Sequence, residues 1–83
     1  MTAPRDRIVH AVLPDGVLLV RYDRSGKWYL EPPANSNRPR QHLTLSGAVQ
    51  AALVADVVHL GRPGGQQFSA AYRRATAARD ASL

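Results

Sequence analysis

Apolar residues fall in short runs broken by turn formers over the first half of this chain, and at helical spacing over the second half. Residues 8–13 form one run, closed by Pro14-Asp15-Gly16. Proline suits the first central position of a type I turn, and a following glycine supplies the positive φ that ends a hairpin loop. Residues 17–23 lead into Arg24-Ser25-Gly26, which repeats that logic. Residues 27–31 are a third strand, ended by Pro32-Pro33 because proline cannot donate to a sheet ladder. Residues 32–40 read as a flexible loop, and residues 41–45 as a candidate fourth strand. Ser46 is a candidate N-cap for a helix over 47–60, with Gly61 and Pro63 to stop it. Residues 61–65 then form an interhelix turn, and residues 66–81 a second helix with a thin stripe of Phe68, Tyr72 and Ala75. The expected fold is α+β: one small domain over residues 1–83, frayed over 1–6, with a three-stranded antiparallel meander followed by two helices.

Loops of three residues set a register in which Leu13 faces Val17 and Asp23 faces Lys27. One face then carries Ile8, His10, Val12, Leu18, Val20, Tyr22, Trp28 and Leu30, an ordinary core surface. The other carries Val9, Ala11, Leu13, Val17 and Leu19 before turning polar at Arg21, Asp23, Lys27, Tyr29 and Glu31. A slip of one residue exchanges the two faces. The helix over 47–60 has two apolar arcs, one through Val49, Leu53, Val57 and Leu60, the other through Ala48, Ala51, Val54, Ala55 and Val58. Such a helix is expected to lie between two partners. The surplus of apolar faces marks Val9, Leu13, Val17, Leu19, Val54 and Val58 as a candidate protein interface, for a second copy or a larger protein.

Composition sharpens this in two ways. The formal net charge is +5, and ten of the eleven basic residues are arginine, which forks onto phosphates and stacks on bases. An Ala-, Val- and Arg-rich composition also follows from a GC-rich genome, such as an actinobacterial or phage one. Cysteine is absent, which removes disulfides and thiolate metal sites as supports for so small a core. Residues 1–6 are polar and lack a signal-peptide pattern, and no apolar stretch is long enough for a membrane helix, so a cytoplasmic location is expected.

Catalytic patterns are missing. His10, His42 and His59 lie on different elements without metal-ligand spacing, no Gly-x-Ser-x-Gly elbow occurs, and the six acids are scattered. Arg62-Pro63-Gly64-Gly65 lacks the lysine and spacing of a phosphate loop. Neither an enzyme, a cofactor, a metal nor a small-molecule substrate is expected. The basic hairpin tip is the strongest candidate site: Arg21, Arg24, Lys27 and Tyr29, joined by Arg38 and Arg40 from the loop, would contact DNA. Arginines on a β-ribbon can meet guanine edges or phosphates in a major groove, and Tyr29 can instead stack on an unpaired base. The bland alternative is a solvated tip with Asp23–Lys27 and Arg21–Glu31 charge pairs.

Three strands with a Gly26-Lys27-Trp28 turn into a tryptophan strand, then a helix after Leu43-Thr44-Leu45, resemble the amino-terminal arm-binding domains of tyrosine recombinases. The resemblance covers residues 8–60. It implies a three-stranded sheet that enters a DNA major groove, with Arg21, Arg24, Lys27 and Tyr29 as the contacting positions. The sequence therefore leads to a non-enzymatic nucleic-acid-binding accessory protein, DNA foremost, or to a protein–protein module through the apolar faces.

Overall fold

The structure is a computed structural model, which describes residues 6–62 and 64–82. The elements are β1 (Arg7–Val12), β2 (Leu18–Tyr22), β3 (Lys27–Glu31), β4 (Gln41–Leu43), α1 (Leu45–Leu53), β5 (Val57–Val58) and α2 (Gln66–Ala81). The strands form one antiparallel sheet in the order β4-β3-β2-β1-β5. The fold is thus α+β, a meander with helices. The expected fray over residues 1–6 concerns residues outside the described part, except Asp6. That residue is tied down, its carbonyl accepting from Asp23 N at 2.9 Å and its carboxylate from Arg24 N at 3.0 Å.

The first hairpin forms as its turn residues dictate. Leu13 N donates to Val17 O at 2.9 Å, Gly16 adopts φ +86°, and the Asp15 carboxylate accepts from Val17 N. The second differs by one residue. Tyr22 pairs with Lys27, and Arg21 with Trp28, so residues 23–26 make a four-residue loop. Gly26, at φ +72°, closes this longer loop just as it would a shorter one, which is why its presence did not fix the length. The resulting slip moves β2 relative to β3: Leu19 and Arg21 share a face with Trp28 and Leu30, while Val20 and Tyr22 share the other with Tyr29 and Glu31.

A second irregularity sits in β1. Ala11 pairs with Leu19 but Val9 pairs with Val20, leaving His10 as an extra residue in a β-bulge. The bulge brings the His10 ring to the helix side of the sheet, 4.9 Å from the Trp28 ring and 5.2 Å from Phe68, whose own rings are 4.8 Å apart. Around these rings lies the core of Ala11, Leu19, Trp28, Ala48, Val49, Ala52 and Phe68. Both helices contribute to it, so both pack on the same face of the sheet. His10 is fully buried, and neither imidazole nitrogen has a hydrogen-bond partner. Burial, reinforced by the charge of Arg21, lowers its pKa to about 4.

The helix expected over 47–60 is shorter than its apolar pattern. Thr44, not Ser46, is the N-cap, its hydroxyl accepting from Gly47 N at 3.1 Å, and α1 ends at Val54. Branched Val54, Val57 and Val58 are stiff in a helix, and the margin of β1 offers Val57 and Val58 an alternative. Asp56 N donates to Val12 O and His59 N to His10 O, at 2.9 and 2.7 Å, and Val57 and Val58 pair with β1 as β5. The segment expected as an interhelix turn over 61–65, in which residue 63 lies outside the described residues, thus follows a strand and not a helix. That second helix spans the expected residues, with Phe68 in the core and Tyr72 and Ala75 packed against it.

These changes undo most of the candidate protein interface. Leu19 is buried, and Leu13 and Val58 pack against the core, because α1 and α2 cover the face that was expected to need a partner; Val17 is buried too, beside the groove that Pro32 and Pro39 line. Val9 lies half-buried on the opposite face. Val54 alone of the six is well exposed, at 65%.

Candidate nucleic-acid interface

Strand alternation puts Arg7, Val9, Val12, Leu18, Val20, Tyr22, Lys27, Tyr29, Glu31 and His42 on the face away from the helices. Val20, at its centre, is fully buried. Toward the β2–β3 tip the face turns aromatic and basic. Tyr22, Tyr29 and His42 come from three adjacent strands, with ring centroids 5.6 Å apart for the first pair and 5.3 Å for the second. Arg40, delivered by the loop before β4, lays its guanidinium 4.3 Å from the Tyr29 ring centroid and 5.8 Å from that of Tyr22. Tyr22, Arg24, Lys27, Tyr29 and Arg40, with Asp6 and Ser25, line a shallow hollow of about 410 Å³.

A hydrogen-bonded triad fixes one side of this hollow. Tyr22 Oη donates to Glu31 Oε2 at 2.6 Å, and Arg7 donates to Glu31 Oε1 from Nη2 at 2.6 Å and from Nε at 3.0 Å. Burial alone would raise the Glu31 carboxyl, but the hydrogen bonds from Tyr22 and Arg7 outweigh it and hold the pKa below the usual carboxylate value. The same bond to Glu31 raises the Tyr22 phenol. Glu31 thus neutralises Arg7 and orients Tyr22. Among the described residues, no carboxylate is ion-paired with Arg24, Lys27, Arg38 or Arg40.

Of the residues expected at the tip, Arg24, Lys27, Tyr29 and Arg40 come together here. Arg38 does not join them: it lines the neighbouring groove, whose floor includes Leu13, Val17 and Leu30, and which Arg40 also borders. Arg21 is on the wrong face. The four-residue loop turns it toward the helices, where it is 4% exposed, binds Asp23 Oδ1 at 2.9 Å, and lies 5.8 Å from the Trp28 ring centroid. Gly64 permits this. A side chain there would collide with Asp23 Oδ1 and come within 2.7 Å of Arg21 Nη2, and its φ of +70° also favours glycine. Arg21 is therefore a structural cation, and the Arg21–Glu31 and Asp23–Lys27 pairs give way to Arg21–Asp23 and Arg7–Glu31.

Tyr22 and His42 are the members of the face that sequence reading missed. Tyr22 had been placed in the core by the shorter loop, and His42 acquires its place only through the Tyr29–His42 pairing of β3 with β4. Among the described residues, no group of three or more His, Cys, Asp or Glu side chains could hold a metal ion, and no helix is long and apolar enough to cross a membrane. No protein-family model matches the chain, and neither a curated protein nor a solved structure matches it.

Proposed function

We propose that this chain is a nucleic-acid-binding protein, not an enzyme, and that it binds through the helix-free face of its sheet. The observation that carries the reading is the stack of Arg40 on Tyr29 beside Arg24 and Lys27, cations that form no ion pair with a carboxylate among the described residues. Phosphates are the natural counterions for such a cluster, and flat rings among the cations add attraction for bases. The net charge of +5 works in the same direction at longer range.

The test is a salt series. Binding of a labelled oligonucleotide is expected to weaken linearly on a log–log plot against salt concentration. Changing both Arg24 and Lys27 to alanine should weaken binding and make the slope shallower by about 1.5, two phosphate contacts' worth. An unchanged slope would remove these residues from the interface. Absence of any binding at low salt would end the reading.

A second reading, association between two copies, has one specific support. Val54 and Val57, three residues apart where α1 gives way to β5, are exposed by 65% and 45%. Sedimentation velocity over a concentration series should then show a dimer that Val54→Asp dissociates. A monomer at every concentration would refute it.

A further inference from the structure

The basic face has the wrong shape for a duplex groove and the right surface for an unpaired strand. At the tip end, β1, β2, β3 and β4 lie side by side. Three inter-strand steps of about 4.8 Å put the outer strand axes roughly 14 Å apart, before side chains are added. A major groove is about 12 Å wide, enough for a two-stranded ribbon. Here the ribbon is flanked on both sides and cannot enter alone.

What the face offers instead is ring surface. Tyr22, Tyr29 and His42 follow one another across three strands, so their line runs across the sheet. An extended single strand laid along that line meets a new ring at each strand crossing. Tyr29 accepts a planar cation on its face already, and a base is a larger planar group of similar thickness. Tyr22 is held by Glu31 before any ligand arrives, so little side-chain freedom is lost on contact. Lys27 is exposed beside Tyr22, and Arg40 is exposed above Tyr29.

We infer that the face binds an unpaired nucleic-acid strand, one base stacking on Tyr29 in the place of the Arg40 guanidinium, which turns outward with Lys27 to hold the adjoining phosphates. The inference rests on the nucleic-acid reading above and names its substrate class. It treats single-stranded DNA and RNA alike, since each supplies both bases and phosphates.

Fluorescence anisotropy with the full chain separates the possibilities. The probes are a short single-stranded DNA, the RNA of the same sequence, the corresponding DNA duplex, and a DNA of the same length and charge whose central positions are abasic. At least one of the two intact single strands is expected to bind on the order of tenfold more tightly than the duplex, and the abasic strand to lose a similar factor against intact DNA if DNA is bound. If only RNA binds, an abasic RNA takes that place. Tyr29→Phe should retain affinity, because the ring remains, and Tyr29→Ala should lose about tenfold. Emission from Trp28, on the opposite face, reports whether each variant is folded. The abasic arm needs no variant at all. Equal binding of abasic and intact strands, or a duplex bound as tightly as either single strand, would overturn this inference while leaving a phosphate-binding face in place. No binding of any probe at low salt would overturn the parent reading as well.

Discussion

Leu19→Ala is expected to lower the free energy of unfolding by about 3 kcal/mol, while Leu18→Ala costs about 1 kcal/mol. The two leucines are neighbours in β2 and chemically identical, so only the register distinguishes them. Leu19 is fully buried beside Ala11, Trp28 and Phe68, and its truncation leaves a void that two helices must span. Leu18 is only half-buried, on the helix-free face. Losing about 3 kcal/mol is serious for a small domain, whose whole stability is on the order of 5–10 kcal/mol. Urea unfolding followed by Trp28 emission measures both variants. Equal costs, or a larger cost at Leu18, would mean that the three-residue tip loop and its register are correct after all.

Acid is expected to weaken the fold well above the carboxylate range, through His10. Its imidazole has a pKa of about 4 when folded, against 6.5 for an ordinary histidine. At pH 7 both states are largely neutral and the shift contributes little. Below 6.5 the unfolded chain takes up a proton that the folded one refuses, so stability falls until the pH nears 4. The difference of 2.5 pH units corresponds to about 3 kcal/mol. Glu31 adds a loss of the same sign, but only below its ordinary value of 4.5. Unfolding midpoints in urea, taken from pH 7 down to pH 4.5, isolate the histidine. His10→Leu should flatten that profile and leave Glu31's loss at lower pH intact. A wild-type profile already flat over this interval would show that the folded protein accepts the proton.

These outcomes bear on why some features could be read from residues and others could not. Pro14-Asp15-Gly16 specifies its own turn, and residues 66–81 their own helix, because the determinants are local. The tip loop is different. A terminal glycine suits loops of three or four residues, and the choice is made by Asp6, whose carbonyl and carboxylate take the amides of Asp23 and Arg24 from a distant part of the chain. His10 carries no local mark of a bulge. It is displaced because its ring packs against both Trp28 and Phe68, the latter on the last helix. Val57 and Val58 continue the apolar periodicity of α1 and leave it only because β1 has a margin to pair with. The candidate site followed the same division. Arg24, Lys27, Tyr29 and Arg40 assemble without regard to which way β2 faces, whereas Tyr22 and Arg21 exchange sides with the register.

The brevity of the two outermost strands has a consequence for behaviour in concentrated solution. β4 is three residues long and β5 only two, so each outermost strand is itself a short template. Fibril growth by strand addition requires a long, straight template, and neither border provides one. A protein with this outline can carry branched aliphatic strands in its middle without seeding amyloid, provided the outer pieces stay docked.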